Sequence, residues 1–434
     1  MLRAAVGSLA RKVSRSHLSH SAACRISTTS SCQNDVDYMD FPGGKVPFTE
    51  DLAWLGPGFT PRPTIPCYRA LDSQGAPLPG TSLPHDIDQA LATRMYETMI
   101  SLQAVDTIFY EAQRQGRFSF YMTSTGEEST AVASAAALNP DDVVFTQYRE
   151  QGVLMWRGYT PLDMANQCYG NALDSGKGRQ MPVHYGSKAL NFHTISSPLA
   201  TQLPQAVGAA YALKLEGKAA VAACYFGEGA ASEGDFHAAL NFSATLSAPV
   251  VFICRNNGWA ISTPASEQYR GDGIAGRGPS YGVPSLRVDG GDAVAVYNAV
   301  AEARRVALER RGPVLLEAMS YRSGHHSTSD DSSRYRAAEE MAAWRARDPV
   351  ARFERWMAAR GWWDEARGVG ARKAARREAI AALAAAAKQP RPPLSEMFSD
   401  VYDEPPPHLV AQRAEVEAFV RAHPETLPAG MPLE

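Results

Sequence analysis

Apolar residues along this 434-residue chain follow three different rhythms. Over residues 35–90 they are scattered among Pro and Gly, as in FPGGKVPF, LGPGFTPRPTIP and GAPLPG, which predicts an extended arm lying on a surface. From near Pro84-His85-Asp86 through LATRMYETMISLQAVDTIFYEAQRQ they fall three and four positions apart, the spacing of a helix with one buried face. Between there and about residue 340, helical patterns alternate with unbroken apolar runs: AAVAACYF (219–226), APVVFIC (248–254) and GPVLLEAMSY (312–321). Turn residues bound each run, and runs of this length suit strands covered on both faces of a parallel sheet. Residues 91–340 therefore read as an α/β domain, a largely parallel sheet flanked by helices. Beyond them, AIAALAAAAK is strongly helix-prone, and QPRPPLSEMFSDVYDEPPPHL is Pro-rich extended chain before a last helical stretch. Residues 341–434 are thus expected to form a helical, Pro-rich tail with little core of its own.

Composition changes this picture mainly at the start of the chain. Arg3, Arg11, Lys12, Arg15 and Arg25 sit among Ser and Ala, and the first acid is Asp35. An Arg- and Ser-rich stretch without acids is the composition of a mitochondrial transit peptide, here residues 1–34, which places the mature chain in the matrix. A merely disordered basic tail is the plainer alternative. Elsewhere, 45% hydrophobic and 21% charged residues are ordinary for a globular protein, and no apolar run reaches the roughly 18 residues of a membrane span. A net charge of −3 gives no electrostatic case for nucleic acid. Cys24 and Cys32 would leave with the transit peptide; Cys67, Cys168, Cys224 and Cys254 have no metal-site spacing and read as free thiols.

The candidate chemistry lies in residues 219–263, which read strand, Gly-rich turn, helix, strand, polar turn. Ser232 is placed to cap the helix, with Asp235 at capping-box spacing. A GxG turn there first suggests a dinucleotide site, in which backbone NH groups cradle phosphates. Two features oppose it: the third glycine position is Ser232, and the Glu228 carboxylate between Gly227 and Gly229 would repel a pyrophosphate. No acid ends the second strand either, which argues against a nicotinamide-dependent oxidoreductase. A divalent cation removes the conflict by bridging carboxylate and phosphate. Mg²⁺ takes oxygen ligands, and Asn256-Asn257 supplies an amide oxygen at the same edge of the sheet.

The triplet GEG, then 26 residues, then Asn-Asn resembles the thiamin-diphosphate fingerprint, usually written with Asp in its first triplet. The likeness extends through QYREQGVLMWRGY, GKGRQMPVHYGS, ISSPLATQLPQAVGAAYA, STPASEQYRGDGIAGRGPSYG and YRSGHHSTSDDSSRYR. By these segments the chain is similar to α subunits of the thiamin-diphosphate-dependent 2-oxo acid dehydrogenases, the branched-chain decarboxylases in particular. RQMPVHYG discriminates, because pyruvate-specific relatives carry a Gly-Ser-Met-His segment there. The resemblance implies a thiamin-diphosphate-binding fold over 91–340 and decarboxylation of branched 2-oxo acids with reductive acylation of a lipoyl group. Pyruvate or acetoin dehydrogenase α subunits remain the alternative, as does a non-catalytic binding homologue.

Carried onto this sequence, the resemblance implies that Mg²⁺ is held by Glu228, Asn257 and the carbonyl of Trp259, where the family usually has Tyr. Gly227, Gly229 and Ala230 would line the cofactor beside Glu228, and Tyr148, Arg149 and Arg255 would hold its diphosphate, Arg149 as a bidentate fork. Ser197 and Leu199 would contact its bend, with Leu199 and Tyr148 shaping an apolar substrate pocket. Ser196, Pro198, Thr201 and Gln202 would hold a K⁺ ion. His326 would be the active-site imidazole, with a near-neutral pKa suited to proton transfer. Ser327 matches the family's regulatory phosphorylation site, implying a kinase and phosphatase; Ala337 replaces its second serine. MTSTGEES (122–129) departs from the usual MTNYGEEG in a loop near the cofactor.

Only one of the two α/β domains that such a site needs is visible here. The glutamate that activates the cofactor should therefore come from a β subunit, in an α2β2 assembly that serves a lipoyl-bearing acyltransferase core. The Pro-rich arms at both ends suit wrapping that partner.

Overall fold

The structure, a computed structural model, describes residues 38–42, 44–49, 51–56, 60 and 63–433. The transit peptide expected at 1–34 lies outside them. Two compact units are present, divided after Arg62. In the first, β1 (Tyr38–Phe41) and β2 (Gly44–Pro47) form an antiparallel hairpin, and Leu55 pairs with Thr60.

The second unit is built on a six-stranded sheet. Its strands are β3 (Cys67–Tyr68), β4 (Val143–Phe145), β5 (Ala222–Gly227), β6 (Val250–Asn256), β9 (Ser285–Asp289) and β10 (Val314–Met319), with a small hairpin, β7 (Trp259–Ala260) and β8 (Thr263–Pro264), beside it. The order is β3-β9-β10-β6-β5-β4, and every neighbouring pair is parallel. The three apolar runs read from sequence become β5, β6 and β10, in which β5 and β6 are buried along their whole length. Side chains alternate between two cores, as a period of two requires. Ala223, Tyr225, Val251, Ile253 and Leu316 face one core, while Cys224, Phe226, Phe252, Cys254 and Leu315 face the other.

The helices of the domain are α1 (Gln89–Arg114), α2 (Glu128–Ala136), α3 (Gln151–Trp156), α4 (Pro161–Tyr169), α5 (Gln202–Leu215), α6 (Gly234–Thr245), α7 (Ala265–Gln268) and α8 (Ala293–Arg310). Through α5 and α6 the chain steps from β4 to β5 to β6 in one direction; through α8 it steps back from β9 to β10. Right-handed crossovers in opposite directions put their helices on opposite faces. Accordingly Leu203, Val207, Phe236 and Leu240 of α5 and α6 join one core, and Val296, Val300 and Ala303 of α8 the other. The reversal falls between β6 and β10, and the carboxyl ends of the strands at such a switch point border a crevice.

Three sequence readings need correction. The first long helix begins at Gln89, where Asp88 Oδ1 accepts from Leu91 N at 2.8 Å, not at Pro84. Ser232 does not cap α6. Residues Ala230–Ser232 form a 3-10 turn, Ser232 Oγ turns to Gln268 Oε1, and the helix starts two residues later with no side-chain cap. A cap contributes about 1 kcal/mol, whereas burying Phe236 and Leu240 contributes about 1.5–3 kcal/mol each, so packing holds this helix. Thirdly, the end of the arm is not merely superficial. β3 adds an edge strand to the sheet, and Asp292, the N-cap of α8, accepts from Ala70 N (2.8 Å) and Leu71 N (2.6 Å).

After residue 337 come α9 (Ala338–Arg345), α10 (Pro349–Ala359), α11 (Glu365–Ala386) and α12 (Pro407–Ala422). The tail has more core than expected. Val350, Phe353, Trp356 and Met357 of α10 enter the main core, and the small residues Ala379, Ala382 and Ala386 let α11 pack closely on α1 and α4. Neither α9 nor α12 has a fully buried residue.

Candidate active site

Glu228 leaves the end of β5 into the crevice and is 2% exposed. Its Oε2 accepts from Asn257 N at 3.3 Å, while its buried Oε1 has no hydrogen-bond partner. Burial raises the pKa of this carboxyl, with its own turn's NH and Arg255 opposing. Asn257 follows β6 directly. Its Nδ2 donates to Glu127 Oε1 (3.2 Å) and its Oδ1 accepts from Trp259 N (3.1 Å). A carboxylate can only accept and a backbone NH can only donate, so both contacts fix the same orientation of the amide. An amide oxygen keeps a second lone pair after one bond. The corner thus offers a buried anionic oxygen and an amide oxygen with spare capacity, and these hard donors fit Mg²⁺. No group of three or more His, Cys, Asp or Glu placed to hold a metal occurs among the described residues. A cation here would take its remaining ligands from phosphate and water. Gly229 is required for space, since a Cβ there would lie 2.7 Å from Ala260 Cβ.

The loop after β4 carries Gln147, Tyr148, Arg149 and Glu150 to the same edge. Gln147 Oε1 accepts from Gly227 N at 2.9 Å, which ties this loop to the Glu228 turn. Arg149, 2% exposed, donates through Nη1 to Thr123 O and through Nη2 to His326 O (2.9 Å); its Nε lies 3.8 Å from Glu127 Oε2. Arg255 at the end of β6 is gripped by two carboxylates: Nε by Glu150 (2.9 Å) and Nη1 by Glu127 (3.0 Å). Burial alone would lower its pKa, but Glu127 and Glu150 outweigh it and hold the guanidinium above its ordinary value. Both arginines therefore lie beside the corner, already engaged by protein groups.

His326 stands in the loop after β10, with Nδ1 3.1 Å from Arg322 Nη1 and 3.3 Å from Arg149 Nη2. Guanidinium groups only donate, so Nδ1 accepts and the proton of the neutral ring sits on Nε2. Burial, then Arg149 and Arg322, push its pKa down to about 3 against the pull of Asp330. The near-neutral value expected for it does not hold in this charge environment. Tyr148 meets the imidazole edge to face, with ring centroids 5.9 Å apart. Ser327 next to it is buried, its Oγ accepting from Ser329 N at 3.3 Å.

The turn before α5 gathers the remaining candidates. Thr201 Oγ1 donates towards Ser196 Oγ (3.4 Å) and Pro198 O (3.3 Å), so three of the four expected K⁺ ligands share one spot. The fourth, Gln202, turns its Nε2 to Tyr225 O (3.0 Å), two residues before Gly227. Ala200 sits at φ +66°, a left-handed conformation that tightens this turn. Half-buried Leu199 packs against the core on the α5 side. Ser197 Oγ lies 2.6 Å from His184 Nε2, whose other nitrogen faces Pro182 O at 3.0 Å. That carbonyl requires a proton on Nδ1, so Ser197 donates to Nε2. His184 also lines a cavity of about 790 Å³ with Asp174, Gln180, Asn191 and His193.

Glu127, Glu150, His184 and Arg322 went unread in the sequence as parts of the site. Glu127 had a signal, two adjacent acids opening an otherwise small and apolar helix; for His184 only the distinctive RQMPVHYG segment offered one.

Residues 96–395 match the family model described as dehydrogenase E1 component. The chain belongs to that family. Its members depend on thiamin diphosphate. Among similar proteins, 2-oxoisovalerate dehydrogenase subunit alpha 1, mitochondrial, of Arabidopsis thaliana is 54% identical over 398 residues, covering 91% of this chain and 84% of its own length. The 2-oxoisovalerate dehydrogenase subunit alpha, mitochondrial, of Caenorhabditis elegans is 53% identical over 386 residues (88% and 89%), and that of Homo sapiens 52% over 394 (90% and 88%).

Proposed function

We propose that this chain is the α subunit of a mitochondrial decarboxylase for branched 2-oxo acids, paired with a β subunit and serving a lipoyl-bearing acyltransferase core. The observation that carries the chemistry is the buried, unpartnered Glu228 Oε1 beside the Asn257 amide, within a family that depends on thiamin diphosphate. The substrate and the mitochondrial location follow from similarity to the 2-oxoisovalerate dehydrogenase α subunits. Bound thiamin diphosphate supplies the nucleophilic carbon and the electron sink for decarboxylation.

The residues of this chain bind and orient. Glu228, Asn257 and the Trp259 carbonyl would hold Mg²⁺, and Gly227, Gly229 and Ala230 leave room for the diphosphate against the turn. Arg149 and Arg255 would face the diphosphate, and Tyr148 walls the site beside His326. His326, neutral with its proton on Nε2, keeps that N–H as a hydrogen-bond donor. Leu199 supplies an apolar contact for a branched side chain, and Ser196, Pro198, Thr201 and Gln202 would stiffen its turn through K⁺. Phosphate on Ser327 would add about −2 charge beside the arginines that hold the His326 loop, and its burial requires that loop to open first.

Activity of the full chain assembled with its β partner, with thiamin diphosphate and Mg²⁺, tests this reading. Faster turnover of 3-methyl-2-oxobutanoate than of pyruvate, abolished in Glu228→Ala, is expected. Preference for pyruvate would sink the substrate assignment. Full activity in Glu228→Ala would sink the metal site.

A further inference from the structure

One buried carboxylate at the site has no role in that reading. Glu127 lies in the turn before α2 and is 1% exposed. Its Oε1 accepts from Arg255 Nη1 (3.0 Å), Asn257 Nδ2 (3.2 Å) and Ser320 Oγ (3.1 Å), and its Oε2 lies 3.8 Å from Arg149 Nε. These partners come from the ends of β4, β6 and β10, so one side chain joins three of the loops that border the crevice.

Two consequences follow. The Asn257 amide could present either nitrogen or oxygen to a cation, and the Glu127 carboxylate, able only to accept, takes the nitrogen. Arg255 is also close enough to Glu228 for its charge to favour the Glu228 anion. Without Glu127, Arg255 would stay on Glu150 through Nε (2.9 Å) but its Nη1 would lose its carboxylate partner beside the unpartnered Glu228 Oε1.

We propose that Glu127 is a positioning residue for the metal pocket: it holds the nitrogen end of the Asn257 amide, so that the oxygen faces the pocket, and anchors Arg255 Nη1 beside it. This rests on the metal assignment proposed above.

The test is thermal unfolding of the assembled α and β complex at saturating thiamin diphosphate while Mg²⁺ is titrated, in wild type, Glu127→Gln, Glu127→Leu and Glu228→Ala. Glu127→Gln keeps the shape and removes the charge. Its half-saturating Mg²⁺ should rise by about tenfold, the size expected for losing one charge-assisted hydrogen bond. Glu127→Leu should rise further. A merely architectural role would lower the unliganded melting temperature and leave half-saturating Mg²⁺ unchanged in both; that result overturns the proposal, and if the Leu variant fails to assemble, the Gln variant alone decides. A wild type indifferent to Mg²⁺, or a Glu228→Ala variant that responds as wild type does, overturns the metal assignment itself. A normal wild-type response with unshifted Glu127 variants overturns only the role of Glu127.

Discussion

Burial, reinforced by two guanidinium groups aimed at one imidazole nitrogen, keeps His326 neutral. Its folded pKa, near 3, lies below the ordinary 6.5, so between those values the unfolded chain binds a proton that the folded chain refuses. Stability is therefore lost as pH falls from about 6.5. The apparent melting temperature of the assembled complex should drop less between pH 6.5 and 5 in His326→Gln than in wild type; equal slopes would mean the ring is already charged when folded. The Glu228–Asn257 corner was legible in sequence because the two residues sit at a fixed spacing across one strand–helix–strand unit. Glu127 and His184 were not, because their partners lie far along the chain or in a loop whose course no periodicity reveals.

At the scale of elements, the long strands and the first helix could be read because burial on both faces or on one stripe leaves a pattern. β3, β4 and β9 escaped: they have two, three and five residues, and β9 is only partly buried. The turn into α2 shows what such short pieces depend on. Gly126 has φ +93°, and a Cβ on it would stand 2.3 Å from Tyr321 O. Gly126→Ala should cost well over 1 kcal/mol by strain and clash together, seen as a lowered melting temperature. In the same turn Glu128 is fully buried, and burial raises its pKa to about 8 from 4.5, against the hydrogen bonds from its own turn and Gln103. The folded state here keeps a proton that the unfolded state gives up. The contribution to stability is full below pH 4.5 and is lost as pH rises towards 8. Glu128→Gln should therefore gain in melting temperature relative to wild type as the pH is raised from 5 to 8, and a constant difference would contradict the assignment.

For the molecule as a whole, the sheet order and the reversal between β6 and β10 explain why residues from four loops meet at one edge. The tail is split in its role. Residues up to Ala386 are built into the core through α10 and α11, whereas residues 401–434 bury no side chain among those described. Ending the chain at residue 340 should abolish cooperative unfolding; ending it at 400 should leave the fold and weaken assembly with the β partner, as size-exclusion chromatography of the co-expressed pair would show. Phe41, Phe48, Leu52 and Leu55 of the first unit, and Val401, Tyr402 and Phe419 of the tail, are each more than half exposed, and such apolar surface suits a partner chain.

Decarboxylation here depends on the proposed Mg²⁺ site at Glu228 and Asn257. Anomalous diffraction from crystals of the α and β complex, grown with thiamin diphosphate and with Mn²⁺ in place of Mg²⁺, tests it directly. A single strong peak is expected within about 2.2 Å of a Glu228 carboxylate oxygen, Asn257 Oδ1 and the Trp259 carbonyl, given the short bonds of a hard octahedral cation. Cofactor bound in the crevice with no peak there, or with the peak on other ligands, would contradict it.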